Sequence, residues 1–213
     1  MDSSPNVTWQ DGRLSRAQRW EALDAGGATV WLTGLPAAGK STIGAALEER
    51  LVSEGRFAYL LDGDNLRHGI CGDLGFSASD RERNVLRAGE IARLFADAGA
   101  VAIVALVSPF AAARDEVRRR HEQNALQFLE VYVDTPVDVC AARDPKGLYA
   151  RARAGELEGL TGVDDPYEVP ARPDLRLGEQ TSVTAALELI LGLLVPTAGL
   201  RSVAAAPKAA RLA

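Results

Sequence analysis

The sequence predicts a doubly wound α/β fold that binds its ligands at the carboxyl ends of the strands. Short apolar runs alternate with segments of helical periodicity along most of the chain. That alternation is the pattern of a mostly parallel sheet wrapped by helices. One run, residues 101–107, is apolar throughout, as befits a strand covered on both faces. Residues 34–41 read Gly-Leu-Pro-Ala-Ala-Gly-Lys-Ser, a full G-x-x-x-x-G-K-[ST] match, set between the apolar run 28–32 and a helical segment. In such a loop the backbone of Gly34, Leu35, Pro36, Ala37, Ala38 and Gly39 curls around phosphate oxygens. The helix start at Lys40, Ser41 and Thr42 adds partial positive charge. Lys40 is expected to reach the β- and γ-phosphates, and the Ser41 hydroxyl to face Mg²⁺.

The elements follow in order. Ser15 and Gln18 have capping-box spacing, which predicts a short helix to about Asp24. Gly26-Gly27 breaks the chain before the first strand. The first strand, the loop and the first long helix extend to about Gly55. Residues 57–61 form a second strand ending at Asp62, and a Gly- and Asp-rich loop runs on to Phe76. Ser77 or Ser79 can cap a long helix that ends near Gly99. Val85, Leu86, Ile91, Leu94 and Phe95 are its expected buried face. Ser108-Pro109 ends the third strand and starts a helix with Pro in its first turn. Residues 128–133 form a fourth strand, and Thr135-Pro136 opens the next helix. Residues 145–170 read as a mobile lid, 174–177 as a short fifth strand and 182–194 as a closing helix. The Ala-rich stretch from Pro196 reads as disordered.

Size and charge narrow the function. A chain of 213 residues suits one α/β domain, residues 26–195, with an extension of 25 residues before it. A net charge of −5 argues against general nucleic-acid binding. Arginines nonetheless cluster at 67–93, 114–120 and 143–153, as suits a small anionic ligand; solvated helix faces are the alternative. Cys71 and Cys140 lack metal spacing and read as reduced cytosolic thiols. His68 and His121 are too isolated for a zinc site, and His121 reads as a surface residue. No segment reads as a signal peptide or a membrane span, so the expected location is the cytoplasm.

Three strands end in residues capable of chemistry, and a parallel sheet brings such ends to one crevice. The first ends in the phosphate loop, the second in Asp62-Gly63-Asp64-Asn65, the third in Ser108-Pro109. Asp62 is placed either to accept a proton from an attacking hydroxyl or to hold the Mg²⁺ water shell. Asp64 could fix the acceptor.

These segments resemble the adenylylsulfate kinases, which phosphorylate the 3′-hydroxyl of adenosine 5′-phosphosulfate with ATP. Residues 61–69, Leu-Asp-Gly-Asp-Asn-Leu-Arg-His-Gly, are similar to that family's LDGDNxRHG segment. Residues 73–77, then Asp80-Arg81 and Asn84, resemble its DLGFS…DR…N segment. Ser108-Pro109 matches its SP element, residues 143–149 its RDPKGLY lid, and residues 161–168 its TGxDxPYE. Asn6-Val7-Thr8-Trp9 resembles its lead-in, so the likeness spans about residues 6–178. It implies a P-loop kinase fold: a mostly parallel five-stranded sheet, helices on both faces and a lid segment. It also implies ATP and Mg²⁺, a homodimer, and a working link to a sulfurylase.

The resemblance assigns roles by position. Arg67, Arg81 and Asn84 would hold the acceptor, Asp64 would fix its nucleoside and Phe76 would stack on its adenine. Val107 and Ser108 would line the acceptor site. Arg143 would contact the donor nucleotide, and Lys146 would close over both. In the family the serine matching Ser108 is either a phosphorylated intermediate or a substrate contact. No neighbouring base in the sequence activates it, which favours direct transfer. Two positions depart from the family pattern: Phe110 replaces a Tyr, and Leu160 replaces a Phe that closes on the acceptor adenine. Leu160 can cover a ring but not stack on it, so weaker acceptor binding is expected. A gluconate, shikimate or nucleoside monophosphate kinase on the same fold is the alternative enzyme, and a non-catalytic nucleotide-binding regulator is the alternative of another class.

Overall fold

The computed structural model describes residues 6–8, 10 and 12–194. The tail from Pro196 and Trp9 of the lead-in lie outside them. The elements are α1 (Arg16–Leu23), β1 (Ala28–Thr33), α2 (Lys40–Ser53), β2 (Ala58–Asp62), α3 (Gly63–Arg67), α4 (Ala78–Ala98), β3 (Val101–Ala105), α5 (Ala111–Gln123), β4 (Gln127–Asp134), α6 (Val137–Arg143), α7 (Leu148–Arg153), β5 (Leu175–Gly178) and α8 (Val183–Leu193). The five strands form one parallel sheet in the order β2-β3-β1-β4-β5. This is the α/β sheet the alternation predicts. No helix among the described residues is long and apolar enough to cross a membrane.

β1 is buried along its whole length, and its side chains alternate between two cores. Val30 and Leu32 join Leu47, Leu51, Ile103, Val131 and Ile190 on the face covered by α2 and α8. Trp31 joins Val85, Ala88, Val104, Val117 and Phe128 on the face covered by α4 and α5. The helices start where side chains can cap them. Ser15 and Gln18 form the full capping box, and Ser77 and Ser182 cap α4 and α8.

Several elements differ from the sequence reading. The loop expected after β2 begins as the short helix α3, because the Asp62 carboxylate caps it by accepting from the Asp64 N–H at 2.9 Å. The buried face of α4 runs through Asn84, Val85, Ala88, Gly89, Ala92 and Ala96, while Leu94 is 59% exposed. Small residues let this helix lie close to the sheet, so large ones flank the contact instead of filling it. An added Cβ at Gly27 would meet the Ala96 carbonyl oxygen at 1.8 Å. The third strand stops at Ala105, two residues early, and α5 starts at Ala111 with Phe110 as N-cap. Pro109 therefore precedes the helix and is outside its first turn.

His121 is fully buried, not at the surface. Its Nδ1–H donates to the Val117 carbonyl at 2.8 Å, which leaves Nε2 to accept from the Thr29 hydroxyl at 2.9 Å. Burial holds the imidazole below its ordinary pKa, in line with a neutral ring. The arginines of α5 do not face the crevice: Arg114 is buried against Glu130, Arg118 pairs with Asp174, and Arg120 pairs with Glu90 and Glu116. Gly27→Ala forces α4 off β1 and is expected to lower unfolding free energy by about 1–3 kcal/mol, read from urea denaturation; unchanged stability would refute this close approach.

Candidate functional site

The carboxyl ends of β1, β2 and β3 open into one crevice of about 760 Å³, a volume suited to small-molecule ligands. Its floor is the phosphate loop. Gly34 and Gly39 both have positive φ, 152° and 110°, so the backbone turns where other residues would strain. A Cβ at Gly34 would also meet the Val133 carbonyl oxygen at 2.5 Å. Gly39 is the N-cap of α2 and offers that helix no side chain. A helix start without a side-chain cap leaves N–H groups for a ligand's anionic oxygens.

Lys40 sits inside this loop. Its ammonium donates to the Gly34 and Leu35 carbonyls at 2.8 and 2.7 Å. Burial away from water lowers its pKa to about 8, partly opposed by the nearby Asp62 charge. Ser41 Oγ donates to Asp62 Oδ2 at 2.6 Å, joining the donor loop to the end of β2. The other Asp62 oxygen is held by the Asp64 N–H, so the carboxylate is fixed at two points. Arg143 crosses from α6 to the loop and donates to the Ala38 carbonyl at 3.2 Å. Tyr149 of α7 donates to the Pro36 carbonyl at 3.0 Å, which ties the expected lid to the loop. Lys146 makes an ion pair with Asp64 across the mouth; both are exposed, so the pair is weak.

The opposite end of the crevice carries Arg67, Phe76, Arg81 and Asn84. Phe76 is 66% exposed, an unusual position for a phenylalanine, and the Arg67 guanidinium lies 4.2 Å from its ring centre. Arg67 is aimed by the Leu74 and Gly75 carbonyls. Arg81 donates to the Phe76 and Gly159 carbonyls and to the Thr161 hydroxyl, and it lies 3.4 Å from Asp165. One turn further along α4, Asn84 is 5% exposed, and its Oδ1 is buried with no hydrogen-bond partner. A buried amide oxygen without a donor is a costly feature, and here it belongs to a residue that lines the crevice.

Val107, Ser108 and Leu160 complete the wall. Ser108 has φ of 42° and is buried. Its hydroxyl donates to Thr33 Oγ1 at 2.9 Å and accepts from the Trp31 indole N–H at 3.1 Å. Thr33 in turn donates to the Val107 carbonyl, and the Tyr167 hydroxyl completes its bonding. The Ser108 proton is thus directed into the core, and among the described residues the hydroxyl's hydrogen-bond partners are Thr33, Trp31 and the Leu106 carbonyl. Leu160 is buried and packs with the core on the α2 side. The residues expected at the site, Gly34 and Leu35 excepted, therefore line one crevice. Sequence reasoning missed the Trp31–Thr33–Tyr167 bonds behind Ser108 and the anchoring of the lid by Tyr149. Only the polar side chain of Thr33, in an otherwise apolar strand end, signalled the first of these.

The sequence model of the adenylylsulphate kinase family matches residues 26–178. The chain is 49% identical over 189 residues to an adenylyl-sulfate kinase of Enterobacter sp. (strain 638), covering 89% of this chain and 93% of that one. It is 45% identical over 194 residues to the chloroplastic adenylyl-sulfate kinase 1 of Arabidopsis thaliana, covering 90% and 70%. The structure resembles the Mycobacterium tuberculosis APS kinase CysC in complex with AMPPNP and APS, with a TM-score of 0.77, 46% identity, and coverage of 79% and 98%. A shikimate kinase from Acinetobacter baumannii, 19% identical with a TM-score of 0.52, shares the fold.

Two measurements test the site. Asn84→Leu removes an unsatisfied buried amide and is expected to raise the stability of the ligand-free protein by about 1 kcal/mol or more; a loss of stability in thermal unfolding would contradict the unpaired state of Oδ1. Lys40 is about half neutral near pH 8, and a bound phosphate favours its charged form. Nucleoside triphosphate binding is therefore expected to take up protons at that pH and few at about pH 6. Calorimetry in buffers of different ionisation enthalpy reads this, and Lys40→Met should abolish it.

Proposed function

The chain belongs to the adenylylsulphate kinase family, and from that membership and the two-ended crevice we propose that it transfers the γ-phosphoryl group of ATP to the 3′-hydroxyl of adenosine 5′-phosphosulfate. The observation that carries this reading is the unpaired Asn84 amide oxygen, of a residue that lines the crevice with Arg81, Arg67 and the exposed Phe76 ring, together with the phosphate loop. A donor loop alone would fit any kinase of this fold. The far end adds what a sulfated adenosine nucleotide needs: cationic forks for anionic oxygens, an open aromatic face for a base and a buried polar acceptor.

The donor triphosphate lies on residues 34–42, with Arg143 beside it. The N–H groups at the start of α2 bind its phosphate oxygens. Lys40 leaves the Gly34 and Leu35 carbonyls for the β- and γ-phosphates, a stronger, charge-assisted contact. Ser41 would hold Mg²⁺ and Asp62 its water shell; the ion neutralises phosphate charge, and a hydroxyl and a carboxylate are hard oxygen groups that suit it. On the acceptor side, Arg67, Arg81 and Asn84 orient the phosphosulfate and nucleoside, Phe76 stacks on the adenine and Val107 and Leu160 exclude water. Asp64 fixes the nucleoside once Lys146 releases it, and Lys146 then closes over the nucleotides.

Asp62 stands between the two ends and takes the proton from the 3′-hydroxyl as the new oxygen–phosphorus bond forms. The bond to the β-phosphate oxygen breaks and ADP leaves. The transfer is direct: the Ser108 hydroxyl is committed to Thr33 and Trp31, so this residue shapes the acceptor wall and forms no phosphoserine. Positioning and charge neutralisation carry such a reaction. The same reading makes the protein a cytoplasmic homodimer whose acceptor is supplied by a sulfurylase.

ADP release measured with ATP and several acceptors tests the assignment. Turnover with adenosine 5′-phosphosulfate and none with gluconate or shikimate is expected; the reverse would overturn it, and nucleotide binding without turnover would point to a regulator. Asp62→Asn should lower kcat by ~10²–10⁴-fold with little change in affinity for an ATP analogue. A variant within about threefold of wild type would reject Asp62 as the base.

A further inference from the structure

Arg114 is the one arginine whose side chain is almost wholly out of water, at 2% exposure, among the ion pairs of the described residues. It lies in the first turn of α5, does not line the crevice and has no part in the chemistry above. A buried guanidinium must have every donor direction answered, and the partners of this one are informative. Nε donates to Glu130 Oε1 on β4 at 2.8 Å. Nη1 donates to the Ser108 carbonyl at 2.6 Å, and Nη2 to the Glu168 carbonyl at 2.7 Å.

Glu168 ties the same two segments from the other side. Its N–H donates to the Pro109 carbonyl at 2.9 Å. Its Oε2 accepts from the Ala111 N–H at 2.6 Å, which caps α5 where Phe110 offers no side-chain cap. Residues 108–111 and the end of the 161–168 segment are thus bound to each other through Arg114 and Glu168. Ser108 needs that support. Its φ of 42° is unfavourable for a residue with a Cβ and persists only where the surroundings fix it.

Both bound segments carry acceptor-side residues. Val107 and Ser108 lie at the start of one. Thr161, at the start of the other, receives the Arg81 guanidinium. We propose that Arg114 is a positioning residue for the acceptor end of the crevice. Its planar fork holds the 108–109 turn against the 161–168 segment, so that Val107, Ser108 and Arg81 keep their places around the bound acceptor. Arg114 itself touches no ligand. The inference rests on the reading of this end as the acceptor site, and it adds a residue that neither motif nor crevice contains.

The test is Arg114→Lys, which keeps the charge and loses the fork. The acceptor KM is expected to rise about tenfold or more, since losing the fork shifts the acceptor-side residues, with the ATP KM within about twofold of wild type. Amide hydrogen exchange over residues 107–111 and 166–169 should quicken, while residues 34–42 stay protected. An equal rise in both KM values, or unchanged exchange in the two segments, would overturn the proposal. Glu168→Ala, at an exposed position, guards against a variant that fails to fold. It should quicken exchange at Ala111 and raise the acceptor KM by a smaller factor, and an acceptor KM equal to wild type would count against the clamp. Absence of turnover by the wild-type protein with adenosine 5′-phosphosulfate would defeat the kinase assignment instead, and the exchange measurements would still judge the clamp.

Discussion

β1 is hydrogen-bonded on both edges, to Val101–Ala105 on one side and Gln127–Tyr132 on the other, and it is buried throughout. Because both pairings are parallel, the strands end on the same side of the sheet. Thr33 at the end of β1 therefore lies beside the segment after β3, and the segment between α7 and β5 reaches it from the β4 side. Its hydroxyl joins Val107, Ser108 and Tyr167 at once. The phosphate loop starts at the next residue. A slip of one residue in either pairing would exchange Trp31 with Val30 and Leu32 between the two cores and separate the loop from the acceptor wall. The crevice exists because this register leaves no other place for the strand ends.

The fold buries two cations near those ends and treats them differently. Lys40 is answered by two neutral carbonyls of its own loop. Such partners do not offset the loss of water, so its pKa falls to about 8 and the ammonium is ready for better partners. Arg114 is answered by the Glu130 carboxylate as well as two carbonyls. A delocalised, planar cation with a carboxylate beside it is a fixture, and breaking such a pair is strongly destabilising. On the proposed reading, the residue that moves toward the donor phosphates is held by neutral groups alone, while the positioning residue is held at three points.

The sheet, the loop and the order of elements were legible because they rest on local patterns: apolar runs of strand length, glycines at fixed offsets, and Ser15, Ser77 and Ser182 at helix starts. The misreadings share a physical cause. α4 packs through Ala88, Gly89, Ala92 and Ala96, whose small size matters only against a partner that the sequence does not name. His121 is polar, yet Thr29 and the Val117 carbonyl let it be buried. Arg114 reads as one charge in a basic helix until Glu130, sixteen residues away, is seen beside it. Site residues were easier to find than their supports, since chemistry is written in residue types and support in long-range pairing. Asn84 shows the boundary. Its place in a motif was readable, but its unpaired oxygen was not.

The two ends of the crevice also share a wall. At Gly162 an added Cβ would meet the Leu35 side chain of the phosphate loop at 2.6 Å, so this turn lies flat on the donor end. Its neighbour Thr161 accepts from Arg81 at the acceptor end, and a few residues on Glu168 is bound to the 108–111 segment. A turn that touches both ends is displaced by anything that moves Leu35. The φ of 90° at Gly162 allows the chain to turn there without a side chain's strain. Glycine meets two demands at that position, backbone conformation and close approach. A larger residue there would have to displace the Leu35 side chain. The spacing of the two ends is therefore set where the Gly162 backbone rests on the Leu35 side chain, and the in-line transfer proposed above needs that distance fixed.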